Sequence, residues 1–153
     1  MTLEPWLHLA HVAGTIVWLG GGVILSLLGA RARQSGDLAV LREFARTLSY
    51  LGLRVFTPAV LVVLVSGVWL VLVSSEWNFT QLWVLLAIGA FVVAFLVGAV
   101  YQSRSAIQLE RAVTQSADLQ AAREALGRWI VGYGVILTIL MFALWDMIFK
   151  PGA

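Results

Sequence analysis

The stretch PWLHLAHVAGTIVWLGGGVILSLLGA, residues 5–30, decides the fold because its 26 residues contain no Asp, Glu, Lys or Arg. The apolar core of a bilayer is about 30 Å thick, and a helix needs about 20 apolar residues to cross it. Three later stretches, 54–75, 82–103 and 129–149, are almost as free of charge: Arg54 begins the first of them, and the last holds a single acid, Asp146. The sequence therefore predicts an all-α protein, an integral membrane four-helix bundle that forms a single transmembrane domain over 1–153.

The composition excludes several classes of protein. Hydrophobic residues make up 61% of the chain and charged residues 12%, whereas soluble domains have about 45–50% apolar and about 25% charged residues. A soluble globular enzyme is therefore excluded. The chain has no Cys, which excludes disulfides, thiolate metal sites, iron–sulfur clusters and cysteine nucleophiles. The net charge of +2 forms no patch suited to nucleic acid, so the lipid bilayer is the expected partner.

The basic residues predict the orientation in the membrane. Nine arginines lie in or directly beside the loops 31–53 and 104–128, whereas Lys150 is alone on the opposite side. Loops rich in Arg and Lys stay on the cytoplasmic side of a membrane. We therefore expect both loops to be cytoplasmic, both termini to be outside, and the chain to be a multi-pass protein of the bacterial inner (cytoplasmic) membrane.

The two cytoplasmic loops contain helical patterns of their own. In the first loop, apolar residues recur at helical spacing from Leu38 to Leu48, with Arg42 and Arg46 between them. In the second, Ser116 is placed to cap a short helix that Gly127 would end. We expect two helical extensions that lie at the membrane surface.

Polar residues in the apolar spans are the candidates for function, because a bilayer tolerates few of them. His8 and His11 lie three residues apart on the first span, and Gly14, Trp18 and Gly21 continue the stripe of His11. With a rise of about 1.5 Å per residue, His11 lies roughly 9 Å inward from the start of this span. Gln81, before the third span, and Asp146, late in the fourth, belong to the same outer half.

Each of these residues also has an explanation that needs no ligand. His8 is placed to be an interfacial residue beside Trp6, and Asp146 is one helical turn from Lys150, with which it can pair. Gln81 can simply end the short outer loop. The glycines of the first span can permit close helix packing, although the same stripe would also make room for a flat ring system.

Two kinds of bound group suit these residues. His8, His11 and Asp146 offer the imidazole and carboxylate ligands that zinc or copper accepts. Alternatively, His11 alone serves as an axial ligand of haem, which needs an apolar slot with aromatic walls. The surroundings of His11 are poor in further polar ligands, which favours the haem. Its second axial ligand is left open between Met141, Met147, a neighbouring subunit and no ligand at all.

The segment LHLAHVAGTIVWLGG, residues 7–21, resembles the first helix of the HemJ-type protoporphyrinogen oxidase and CopD-like superfamily of small bacterial membrane proteins. In that pattern a His is followed by Gly, Trp and Gly, as in His11, Gly14, Trp18 and Gly21. Shorter likenesses touch the other three helices: Arg54, Thr57-Pro58, Gly67-Val68-Trp69-Leu70, Trp77, Gln81-Leu82 and Lys150-Pro151.

The resemblance implies a four-helix protein that binds haem b, with His11 as the ligand histidine. Two features depart from the oxidase branch: Gln81 stands where that branch has Lys, and an Arg-Leu-Phe-Val-Tyr-His-like stretch after the first helix is absent. The chain is therefore closer to an uncharacterised branch of predicted integral membrane proteins. CopD-like members are linked to copper uptake, which agrees with the metal alternative.

The leading hypothesis is a haem b-binding inner-membrane protein with a redox or electron-transfer role. Gly14, Trp18 and Gly21 would shape the pocket beside the iron ligand His11, and Gln81 and Asp146 would contact propionates or protons near the outer surface. As an enzyme it would be an oxidoreductase acting on a tetrapyrrole or a quinone, with no catalytic residue assigned. A homo-oligomer is expected because four helices leave little room for a full haem pocket. The alternative is a copper- or zinc-binding membrane protein that uses His8, His11 and Asp146.

Overall fold

The computed structural model describes residues 3–152, and within that range it consists of four long helices without strands. They are α1 (Glu4–Ser35), α2 (Leu38–Val73), α3 (Leu82–Thr114) and α4 (Leu119–Phe149), each long and apolar enough to cross a membrane. This confirms the predicted all-helical membrane bundle, although α2 ends at Val73 rather than at residue 75. Residues 1, 2 and 153, which the predicted domain includes, lie outside the described part.

The outer faces of the helices are apolar, as contact with lipid requires. Large side chains such as those of Ile16, Leu72, Val131 and Ile148 are more than 60% exposed. In a soluble protein such a surface would aggregate, whereas hydrocarbon solvates it. The protein is therefore an integral membrane protein whose helices contact the bilayer directly.

The helices are longer than the predicted spans, and the extra turns lie at one end of the bundle. We call this end, residues 31–54 and 104–128, the basic end. The helical extensions expected in the two loops are present, as direct continuations of the membrane helices. The apolar face of residues 38–48 packs against protein: Leu41, Leu109 and Leu126 are fully buried in one shared core. This face therefore meets other helices, whereas the sequence pattern had been explained by contact with lipid alone.

Two aspartates start the helices at the basic end. The Asp37 side chain accepts a hydrogen bond of 2.7 Å from the Ala39 N–H at the start of α2. Asp118 accepts one of 3.0 Å from the Ala121 N–H at the start of α4. Such caps satisfy backbone N–H groups that have no partner in the first turn. The predicted cap at Ser116 and the predicted end at Gly127 are thus wrong, since α4 begins at Leu119 and continues through Gly127.

Both middle helices widen into a π-helical turn near the basic end, at Gly52–Phe56 in α2 and at Val97–Gln102 in α3. A hydroxyl group bonds back across each turn. Thr57 donates to the Gly52 carbonyl at 2.9 Å, and Ser103 donates to the Gly98 carbonyl at 3.3 Å. These bonds satisfy carbonyl groups that the irregular turn would otherwise leave unpaired in an apolar environment.

The helices pair differently in the membrane portion and at the basic end. In the membrane portion α2 packs on α1 and α3 packs on α4, while α1 and α4 form the central pair. Within residues 3–152, α2 and α3 pack on each other mainly through 38–51 and 103–114. The connected apolar core runs from Leu140 and Trp18 to the basic end, whereas the buried Val63 and Trp83 lie outside it.

Candidate functional site

The His11 side chain is fixed by a hydrogen bond to the neighbouring helix. Its Nδ1 lies 3.0 Å from the Val63 carbonyl oxygen and 3.2 Å from Ser66 Oγ. A carbonyl oxygen only accepts, so Nδ1 must carry the hydrogen. The Ser66 hydroxyl donates at 2.5 Å to the Val62 carbonyl and thus also accepts from His11. In the neutral ring the lone pair available for a ligand is therefore on Nε2.

Nε2 has no such partner. It forms no hydrogen bond with any described residue, and it is not among the polar atoms that the protein encloses. His11 itself is only partly buried, although it lies on the stripe of α1 that buries Gly14, Trp18 and Gly22. One nitrogen of the imidazole is thus satisfied, and the other is accessible.

Gly67 allows the imidazole to lie against α2. A Cβ atom at this position would be 2.9 Å from His11 Cε1 and 3.2 Å from Nδ1, closer than real Cβ contacts allow. Gly67 belongs to the segment that carried the family likeness in the second span, but Val63 and Ser66 were not expected to contact His11. Their only signal in the sequence is a serine inside an apolar span, which needs a hydrogen-bond partner in lipid.

The glycine stripe of α1 is filled by the protein's own side chains. A Cβ on Gly14 would be 2.9 Å from Val63 Cγ2, and one on Gly21 would be 3.0 Å from the Phe56 ring. Trp18 is buried and packs edge-to-face on Phe91, with ring centroids 5.9 Å apart. These residues therefore serve close helix packing, and their predicted contact with a cofactor stays a prediction.

The other predicted site residues lie at the opposite end from the arginines. We call residues 3–10, 74–83 and 146–152 the tryptophan end. His8 Nδ1 lies 3.2 Å from the Glu4 carbonyl oxygen, and the ring meets Trp77 edge-on at 5.6 Å. The imidazole thus packs beside an indole ring, but that ring belongs to Trp77 and not to the expected Trp6.

Gln81 holds the loop before α3 together. Its amide nitrogen donates to the Glu76 carbonyl at 3.1 Å, and its amide oxygen accepts from the Asn78 N–H at 3.2 Å. Both ends of the side chain are thus used within one loop. Its predicted contact with a cofactor is not tested by this geometry and stays a prediction.

Asp146 is fully buried, and neither of its carboxylate oxygens has a hydrogen-bond partner within the described residues. The expected ion pair with Lys150 does not form. Instead the Lys150 ammonium lies 4.3 Å from the centroid of the Trp77 ring and 5.4 Å from that of Trp83. The Trp83 indole nitrogen is also buried without a partner.

The alternative zinc or copper site would need the side chains of His8, His11 and Asp146 to lie close together. Across residues 3–152, no group of three or more His, Asp or Glu side chains is close enough together to hold a metal ion. His8, His11 and Asp146 therefore do not form a shared site in this chain. His11 points to α2, while His8 packs on the loop that carries Trp77.

Comparison with known proteins agrees with the membrane architecture. No curated protein and no solved structure matches the chain. One protein family does match, over residues 5–151 and thus across all four helices, and its description is "predicted integral membrane protein". The chain belongs to this family of small integral membrane proteins, DUF2269.

Proposed function

We propose that this protein binds b-type haem through Nε2 of His11 and serves a redox or electron-transfer role in the bacterial inner membrane. The observation that carries the proposal is the hydrogen bond from His11 Nδ1–H to the Val63 carbonyl, 3.0 Å long. Histidines that bind a metal or haem iron usually donate their other N–H to a carbonyl or carboxylate group. That bond fixes the tautomer and the ring orientation and raises the basicity of the ligand nitrogen.

The Nε2 atom of His11 is a suitable donor for haem iron. The space beside the glycines of α1, however, is occupied by other side chains. Val63 and Phe56 occupy the positions next to Gly14 and Gly21 within one chain. Nε2 of His11 is the atom that would hold the haem iron. One chain does not enclose this atom, which supports a homo-oligomer as part of the proposal.

The chain's own residues would hold the ligand nitrogen in place. The Val63 carbonyl and the Ser66 hydroxyl accept from Nδ1, and Gly67 gives the ring its place against α2. When bound, haem supplies one-electron transfer in an apolar environment. The resemblance to the HemJ-type superfamily supports a tetrapyrrole or a quinone as the partner in that chemistry.

An absorption spectrum of the purified protein, oxidised and then reduced with dithionite, tests the proposal. We expect a Soret band that sharpens on reduction, is lost in His11→Ala and is retained in His8→Ala. The His8 variant is the matched control because it removes an imidazole from the same helix, three residues away. A spectrum without a Soret band after expression with adequate haem would refute the proposal, as would a band that survives His11→Ala.

A second comparison tests the positioning role of Gly67. Gly67→Ala keeps both histidines but places a methyl group 2.9 Å from His11 Cε1. We expect a shifted reduced spectrum or lower haem content. Gly89→Ala is the control, because a Cβ at Gly89 meets nothing within 4 Å, and it should match the unmodified protein.

A further inference from the structure

Asp146 combines an ionisable side chain with complete burial. Its exposed fraction is 0%, it lies in the last turn of α4, and both of its carboxylate oxygens lack hydrogen-bond partners. An ionised carboxylate without a partner is strongly disfavoured away from water, and a bilayer offers no water to replace the partner. The geometry thus favours a neutral acid or a bound positive charge over a free carboxylate.

The charged groups nearby do not supply the positive charge. At the tryptophan end the ionisable side chains besides Asp146 are those of Glu4, His8, Glu76 and Lys150. Within the described part of the chain neither His8 nor Lys150 forms an ion pair with Asp146, because the ion pair found in residues 3–152 joins Arg46 and Glu43 at the basic end. The helix α3 contributes no charged residue over its first turns, 82–96.

Lys150 is directed away from Asp146 by its own backbone. It has a left-handed conformation with φ of 44°, and its N–H donates to the Asp146 carbonyl at 2.8 Å to end α4. In a regular helix a side chain four residues later would lie over the same face. Here the ammonium rests instead on the faces of Trp77 and Trp83, at 4.3 Å and 5.4 Å from their centroids. These aromatic faces attract a cation and hold it there.

We propose that Asp146 is a proton-binding site, in which the carboxyl group is held as the neutral acid beneath the turn that carries Lys150. The proton is the ligand of this site. It neutralises the carboxylate in place of the Lys150 ammonium, which lies on the rings of Trp77 and Trp83. Loss of this proton would leave a buried charge one turn from Lys150, which would then compete with the indole rings for the ammonium. Protonation of Asp146 is therefore linked to the position of the Lys150 side chain in the turn that ends α4.

Infrared spectroscopy of the membrane-reconstituted full chain tests this proposal. At neutral pH exposed carboxyl groups are ionised, since their pKa values are about 4, so a carboxylic acid C=O stretch reports a buried neutral acid. We expect this band in the unmodified protein, with a small shift in heavy water. It should disappear in Asp146→Asn and persist in Glu76→Gln, which removes an exposed acid at the same end.

Two further measurements keep the test decisive. Asp146→Glu retains an acid and should move the band rather than remove it, which covers the case in which Asp146→Asn does not fold. His11→Ala lacks the proposed haem ligand and should show the unchanged band, so failure of the haem proposal is separable from failure of this one. Absence of the band in the unmodified protein, or its persistence in Asp146→Asn, would overturn the proposal.

Discussion

The contact between α1 and α4 at Gly22 gives the sharpest test of the packing. A Cβ atom at Gly22 would overlap the ring of Tyr133, whose side chain is 6% exposed. Tyr133 cannot move away cheaply, because its hydroxyl donates to the Trp18 carbonyl at 3.1 Å and its ring lies 5.2 Å from that of Trp129. We therefore expect Gly22→Ala to weaken the bundle although alanine favours helices.

The magnitude follows from three contributions. Overpacking a well-packed site costs about 1–3 kcal/mol, and loss of the buried tyrosine hydrogen bond costs about 1 kcal/mol. The higher helix propensity of alanine raises the free energy of unfolding by about 1 kcal/mol. The net loss in free energy of unfolding for Gly22→Ala should therefore be about 1–3 kcal/mol, from the same three principles.

Gly20→Ala is the matched control on the same helix. A Cβ at Gly20 meets nothing within 4 Å, so only the propensity gain applies, up to about 1 kcal/mol. Reversible unfolding in mixed detergent micelles, followed by helical circular dichroism, measures both variants against the unmodified protein. If Gly22→Ala proved as stable as Gly20→Ala, the packing of Tyr133 on α1 would be refuted.

Two further predictions concern the basic end and the orientation. Leu126→Ala, at a side chain that is 0% exposed, should lower the free energy of unfolding by about 2–5 kcal/mol, whereas Leu53→Ala, at 75% exposure, should change it little; equal effects in the same unfolding assay would contradict the buried core. Because the chain has no Cys, single replacements Glu43→Cys and Glu76→Cys report the orientation: a membrane-impermeant thiol reagent should label only the second in intact cells, and the opposite pattern would reverse the predicted topology.

The membrane spans could be predicted from sequence because lipid imposes a strict requirement. A segment without charge over about 20 residues has few stable alternatives to a spanning helix, and the stretch 5–30 satisfies this by itself. The packing of the extra helical turns at the basic end was harder to predict from the sequence. Residues 38–48 show an amphipathic pattern, and a pattern of this kind does not reveal whether its apolar face meets lipid or protein. Leu109 and Leu126, which cover that face, are far away in sequence.

The candidate site was predictable only in part for a similar reason. His11 stands out by its depth in an apolar span, but its partners Val63 and Ser66 lie 52 and 55 residues later. Nothing local to His11 identifies them. The pairing of Asp146 with Lys150 was expected from helical spacing, which assumes that the helix continues. The helix ends at Lys150 in a left-handed conformation, and this directs the ammonium to the tryptophan rings instead.

The connected core and the two polar groups proposed to bind ligands lie in different parts of the bundle. The core runs from Leu140 and Trp18 to the basic end, where α2 and α3 also pack on each other. His11 and Asp146 lie outside that core, each with at least one side-chain atom that forms no hydrogen bond in the described part of the chain. Polar groups of this kind cost stability in a membrane, and a protein keeps them where they bind something. The apolar core that includes the basic end holds the four helices together, while the partly exposed His11 and the buried carboxyl group of Asp146 lie outside it.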